Sequence, residues 1–568
     1  MTTVKRYVRI AAGGALAALA ACRTAHVVQP TDGGTLSAEV QYCASAGDAG
    51  DETAEVLVRN GTDRPVAFVR VELDGTELPL SAASVAKALR SFSFEGVRTR
   101  RPAQDPVAGV RWWQFYPSPR VGPGEAVAFQ LNFDGRSRPC GLKLVTDDGR
   151  SLSARVPRYA APRRRIEHLA FSGDGGVLTL RYSKGAAPDS LSVNGRQVAF
   201  RLLEAGAARP GALVADLPRP VRQGRPTLVE LGFPDGARRF ALVRAMLGLC
   251  TVAAAGRGET NDFRPPPEPM RREYGFDRDM KVRRIPLDVV CDDTRANCHG
   301  ANARTVLATR GEWLARTPDG LCGVAFCTAL YPSAWNIYSQ MADAVISKPY
   351  KLHWGVNVSR FVDEEDAFLG AVVRDVAPRP VLWVPERFRK LRELEGDEFS
   401  VLAWCAMLRG VRGVRFHHWL NDPKDPFAGN PGLAAAVREF NAAFNRLRPR
   451  LERLVPAGES EDRARRTAVL EGWSGDDGVL LLVRNLRYDV GIDPQTRRRV
   501  RPFSVSPVRG HVLSYRLPKW LSPGAAVDAL TGEAIAGAVG NGLYGMTLPE
   551  LGAFRLVWIE NAKKEVKQ

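Results

Sequence analysis

The sequence predicts a multidomain chain with two N-terminal β-sandwiches, a central (β/α) barrel and a C-terminal β-sandwich. Three observations carry this expectation. Short alternating apolar segments separated by Asn-Gly and Asp-Gly turns occupy the N-terminal part. From residue 248 apolar runs alternate with segments of helical period, and from residue 460 strand-like alternation returns. At 568 residues the chain accommodates several domains of ordinary size.

Residues 1–21 read as an export signal. Lys5, Arg6 and Arg9 precede an apolar stretch, residues 10–21, that is too short to span a bilayer and ends in the box Leu19-Ala20-Ala21-Cys22. This resembles a bacterial lipoprotein signal, which implies cleavage before Cys22 and lipidation of Cys22. The resemblance implies a membrane-anchored protein of the bacterial cell envelope, periplasmic or surface-exposed. Several acyl chains hold a protein where one is marginal. An ordinary secretory signal with a chance cysteine is the other reading.

Residues 22–160 form the first predicted sandwich, with strands at 54–59, 66–73, 126–133 and 141–146 and turns at Asn60-Gly61, Asp74-Gly75 and Asp134-Gly135. The aromatic run Trp112-Trp113-Gln114-Phe115-Tyr116 could stack on sugar rings, but large aromatics at strand spacing more often fill a core. Ala161-Pro162-Arg163-Arg164-Arg165 reads as a linker opening a second sandwich, residues 161–247, with strands at 177–182, 197–202 and 227–233.

In residues 248–459 strand-like runs at 285–290, 322–327, 342–347, 381–384 and 413–416 alternate with helical segments at 301–317, 363–376, 398–409 and 433–455. Residues 240–251 could supply a first strand. Such alternation implies a parallel sheet, here of six or seven strands, so an incomplete barrel is expected. Residues 460–568, with strands at 478–485, 511–517 and 552–559, form the last sandwich.

The net charge of +18 favours anionic partners. The arginines are nevertheless scattered, and neither Arg163 to Arg165 nor Arg497 to Arg501 interleaves with aromatics as a nucleic-acid platform does, so no nucleic-acid partner is expected. No G-x-S-x-G elbow, P-loop or other cofactor motif marks the chain. Among the 9 cysteines, Cys43 and Cys140 bracket the first sandwich and are expected to pair there. Cys291 with Cys298 and Cys322 with Cys327 are close enough for local loops, and none of these spacings suits a metal.

Leu287-Asp288-Val289-Val290-Cys291-Asp292-Asp293, Val381-Leu382-Trp383-Val384-Pro385-Glu386 and Gly410-Val411-Arg412-Gly413-Val414-Arg415-Phe416 look like barrel strands with polar residues at their ends. With these stretches residues 248–568 resemble glycoside-hydrolase-like proteins, in which a (β/α) TIM-like barrel is followed by an accessory sandwich. The resemblance implies a polysaccharide or glycoconjugate substrate and chemistry at the rim where the strands end. Glycoside hydrolysis uses two carboxyl groups, and the candidates are Glu386 and Asp293. Asp292, Lys348, His353, Trp354, His418, Trp419 and Asp422 are candidates for substrate binding. Adjacent histidines on a strand face opposite ways, so at most one of His417 and His418 faces inward. Each rim acid also has a structural reading, Glu386 paired with Arg387 or Arg389, Asp292 and Asp293 capping the next helix.

One departure weighs against hydrolysis. An acidic residue is expected where the strand at 342–347 ends, yet Lys348-Pro349-Tyr350 stands there. A lysine suits an acidic sugar, or a barrel that binds without cleaving. The alternative to a hydrolase is therefore a non-catalytic surface glycan-binding or scaffold lipoprotein.

Overall fold

The computed structural model describes residues 36–45, 52–78, 110–133, 139–206, 209–255, 268–277, 282–286, 300–327, 335, 338–349, 360–385, 394–418, 427, 429–493, 495–496, 498 and 500–562. These residues form a multidomain, strand-rich succession of sheets.

In the N-terminal assembly the sheet of Leu36–Ser45, Glu52–Asn60, Ala126–Phe133 and Val110–Tyr116 packs on one built around Val66–Leu73 and Cys140–Thr146. Strand alternation supplies the core: Val56, Phe129 and Leu131 from one sheet meet Phe68, Leu142 and Leu144 from the other. Phe68 stacks on Phe115 at 5.3 Å, and Phe115 meets Phe129 at 4.8 Å. Trp113 and Tyr116 are likewise buried, so these aromatics are packing residues.

The expected Cys43–Cys140 bridge does not form, and both cysteines are free. The reason is the pleat. Cys43 shares a face with Gln41, whose side-chain amide donates to the Phe240 carbonyl of the next assembly at 2.8 Å, whereas Cys140 points into the first core. Cys322 likewise forms no disulfide, so it closes no local loop with Cys327, while Cys291 and Cys298 lie outside the described residues.

A second pair of sheets follows. One holds Ile166–Phe171, Val177–Tyr182, Gly211–Asp216 and Arg201–Glu204; the other holds Arg196–Gln197, Ser190–Val193, Pro226–Gly232 and Arg238–Arg244. Tyr182 and Phe233 meet edge-on between them, centroids 5.8 Å apart. The strand expected at 197–202 is split, because the chain crosses between sheets where Val198 enters the core. Of residues 240–251, offered as a first barrel strand, the part up to Arg244 pairs antiparallel with Pro226–Gly232, and only Cys250 and Thr251 enter the parallel sheet.

The central assembly is a parallel sheet of six strands: β1 (Cys250–Ala255), β2 (Val282–Pro286), β3 (Leu321–Cys327), β4 (Ala344–Lys348), β5 (Val381–Trp383) and β6 (Gly413–His418). Between and after them run α1 (Glu268–Tyr274), α2 (Gly300–Arg316), α3 (Phe361–Val376), α4 (Gly396–Arg409) and α5 (Pro431–Leu451). The order is β1-β6-β5-β4-β3-β2 with every pairing parallel. That order is cyclic apart from one seam between β1 and β2. Helices cover the strands, which explains why β4 and β5 are buried along their whole length.

Local chemistry sets the helix ends. Asn430 caps α5 by accepting from the Leu433 amide at 3.1 Å, with Pro431 in the first turn. Gly410 ends α4 at φ 94°, and its amide donates to Met407 O. The helix expected to reach residue 455 stops at Leu451, and Val455–Asp462 is already a strand. Pro456 drives Val455 out of the helical region.

The C-terminal assembly packs a six-stranded antiparallel sheet, with Gly478–Asn485 and Phe554–Asn561 at its centre, on a sheet of Val508–Arg516, Leu543–Leu551 and Gly537–Gly540. Val479, Leu481 and Val483 face Tyr515, Tyr544, Met546 and Leu548.

Candidate functional site

Strand register defines which residues share the inner face of the parallel sheet. Cys250 pairs with Gly413, Gly413 with Leu382, Leu382 with Ile346 and Ile346 with Ala325. These residues, with Met246, Val252, Leu321 and Val384, form an apolar plug; Gly413 belongs to it because a Cβ there would lie 2.4 Å from Cys250 Sγ and 2.8 Å from Leu382 Cδ2. Two residues further along each strand, toward the C-terminal ends, Val252 pairs with Arg415 and Cys327 with Lys348. Arg415 and Lys348 are 4% and 2% exposed. The plug thus gives way to two buried cations where the strands end, a position that suits an anionic ligand group.

Lys348 is the one proposed binding residue whose side chain is described, and it is the last residue of β4. His418 is the last residue of β6, where its backbone pairs with Ala255. The ring of Phe416, two residues before it, meets Phe276 and Phe399 at 5.3 and 5.4 Å on the helix side. Glu386, Asp292, Asp293, His353, Trp354, Trp419 and Asp422 lie outside the described residues, as does Cys22. Arg415 is the residue that sequence reasoning passed over. Its signal was a lone arginine inside the apolar run 413–416.

At the opposite, N-terminal end of the sheet Asp343 is fully buried just before β4. It accepts from Arg310 Nε and Nη2 at 3.3 and 3.2 Å, from the Cys322 amide at 2.9 Å and from the Tyr116 hydroxyl at 2.9 Å. Tyr116 in turn accepts from the Arg244 amide at 2.9 Å, joining the two N-terminal assemblies to the central one. Burial first, then Asp343, push the Tyr116 phenol up to about 12, so it stays a donor. Nearby, Arg412 Nη2 donates to the carbonyls of Phe171 and Gly248 at 3.0 and 2.8 Å. His168, buried beside Arg412 and Arg181, is held down to about 3 by burial and then by those charges.

On the helix side, Glu365 accepts from Trp383 Nε1 at 3.0 Å. Arg484 of the C-terminal assembly bridges Asp363 and Asp366 of α3 and reaches Cys405 Sγ. Burial opposes ionisation of Asp366, but Arg484 and Arg409 outweigh it and hold the carboxyl below its ordinary range. The Arg484 contacts bind the C-terminal assembly to the central one. Among the described residues no three His, Cys, Asp or Glu side chains converge as a metal site would require, and no helix is long and apolar enough to cross a membrane.

No protein-family model and no curated protein matches the sequence. The solved structures it is similar to include glycoside hydrolases. An alpha-fucosidase of Thermotoga maritima is 8% identical with a TM-score of 0.25, over 47% of this chain and 51% of that one. A noncanonic maltogenic alpha-amylase of Thermotoga neapolitana is 13% identical with a TM-score of 0.29, over 44% and 57%. An alpha-L-fucosidase of Bacteroides thetaiotaomicron is 10% identical with a TM-score of 0.23, over 51% and 79%. The chain spans about half the length of the first of these.

Proposed function

We propose that this is a lipid-anchored, glycoside-hydrolase-like protein acting on extracellular polysaccharide or glycoconjugate, with Glu386 and Asp293 as the carboxyl pair on the barrel rim. One observation carries the reading. Six parallel strands in cyclic order, plugged by apolar side chains, bring the strand ends together on one side, where such folds keep their chemistry. In this reading the sheet rolls into a barrel with its seam between β1 and β2. One carboxyl protonates the leaving oxygen while the other attacks the anomeric carbon or activates water. Asp292, His353, Trp354, His418, Trp419 and Asp422 bind the sugar, Lys348 holds an acidic substituent, and Cys22 carries the tether in the cell envelope.

The test is reducing-end release from a panel of neutral and acidic polysaccharides, with Glu386→Gln and Asp293→Asn in parallel. Release should fall roughly a hundredfold or more in either variant, the usual cost of losing an acid or base. Release unchanged by both substitutions would remove these residues from the chemistry. The buried cations Lys348 and Arg415 favour a second reading, a surface glycan-binding or scaffold lipoprotein. Absence of release from every glycan, with binding to an acidic one retained, selects it.

A further inference from the structure

A second site lies away from the rim. A cavity of about 880 Å³ opens in the second sandwich between the Asn194-Gly195 turn and the segment Pro218-Arg219-Pro220-Val221-Arg222-Gln223-Gly224-Arg225-Pro226. Its floor is apolar, and Arg196, Arg219, Arg222 and Arg225 all line it. None of these four guanidinium groups has an ion-pair partner among the described residues, whereas many other arginines do: Arg59 holds Glu39, Arg409 holds Asp366 and Arg448 holds Asp277. The single carboxylate on the lining, Asp174, is already occupied by the Ser172 hydroxyl and the Gly176 amide. An unneutralised cluster of this kind repels itself unless an anion joins it.

The arginines stand on a stiff backbone. Three prolines restrict the 218–226 segment, and its amides are tied down at Val221 to Gly175 O and at Gly224 to Ala245 O, 3.0 and 2.8 Å. Gly224 (φ +67°) lies so close to Asp319 that a Cβ would come within 2.2 Å of its carbonyl oxygen. Asp319 stands two residues before β3, so the cavity sits at the N-terminal end of the parallel sheet, opposite the rim.

We infer that this cleft binds an acidic glycan, its carboxylate or sulfate groups taken by the forked guanidinium groups of Arg196, Arg219, Arg222 and Arg225. The volume suits a ligand of several rings, and planar carboxylates match guanidinium forks. A concave cleft with an apolar lining matches a chain of sugar rings better than it matches the flat array of headgroups of a bilayer, which argues against a membrane as the occupant. The site is independent of hydrolysis at the rim.

The experiment measures binding of hexagalacturonate to the full chain in detergent, with neutral maltohexaose and phosphatidylglycerol vesicles as comparison probes. Hexagalacturonate should bind with an affinity that falls with salt, and maltohexaose should not compete. Arg219→Gln combined with Arg222→Gln should weaken binding about tenfold or more and flatten the salt dependence, with thermal unfolding unchanged because both side chains are exposed. Glu386→Gln should leave binding intact, so loss of hydrolysis and loss of this site are read separately. Failure to bind hexagalacturonate, binding indifferent to the arginine pair, or arginine-dependent binding only to the vesicles would each overturn the inference.

Discussion

At the N-terminal end of the parallel sheet buried charges have found answering groups: Asp343 is ringed by Arg310, Cys322 and Tyr116, and Arg412 is spent on two carbonyls. At the C-terminal end Lys348 and Arg415 are as deeply buried, yet they stand just beyond an apolar plug and face the side where the strands stop. The same fold therefore uses buried ions in two ways. Where domains dock, ions satisfy one another and fix the docking geometry; where the strands end, two buried cations take one face of the sheet, a placement that suits an anionic group.

Substitutions at the two ends break or sharpen that contrast. The largest expected effect is Asp343→Ala, which strands Arg310 in a dry interface and should cost about 3–5 kcal/mol of unfolding free energy in a denaturant titration. A loss below about 1 kcal/mol would mean the cluster is not what joins the assemblies. Next comes the acid response of His168. Its folded-state value of about 3 lies below the ordinary 6.5, so between these values the unfolded chain binds the extra proton. Its stabilising contribution is complete above about pH 6.5 and declines as the pH falls toward about 3, by up to about 1.4 kcal/mol per pH unit. His168→Gln should remove that slope, read as the difference from wild type because His511, also lowered, contributes in the same sense. Identical pH profiles would show that the ring is not held neutral.

Gly410→Ala should cost about 1–2 kcal/mol, because a Cβ would sit 2.9 Å from His168 Nδ1 and 2.8 Å from Pro456 Cγ at a φ that side chains avoid. The smallest effect on folding is expected from Lys348→Met, which keeps the aliphatic stem. Its midpoint shift should be smaller than that of Asp343→Ala, while binding of an acidic glycan at the rim weakens roughly tenfold. That binding is measured with the cleft arginines already replaced. A large stability loss with unchanged binding would turn Lys348 into another docking ion and erase the contrast.

Much of the secondary structure was legible because periodicity is a local property. Val177–Tyr182, Val66–Leu73 and Ala126–Phe133 are strands over the residues their alternation marks, and α3 and α4 begin two residues before the expected position. Errors arose where a neighbour decided. The apolar stretch after residue 240 reads equally well as the end of one sheet or the start of the next, and pairing with Pro226–Gly232 settled it. The helix into residue 455 was overextended because its apolar spacing runs on past Leu451, while Pro456 acts only through the residue before it. For the candidate site, Lys348 was legible as a basic residue closing an apolar run. Arg415 was not, since a single arginine in a strand carries no sign of the face it takes.

The sequence by itself determined the order of the sheets and helices, the apolar periods that build them and the residue types available at each strand end, because these depend on neighbours within a few positions. Only the tertiary structure decided that Cys43 and Cys140 face different bodies, that Asp343 and Tyr116, distant along the chain, share one hydrogen bond, and that Lys348 and Arg415 take one face of the sheet. Such outcomes rest on register and on packing between assemblies, where groups far apart in sequence compete for the same buried space.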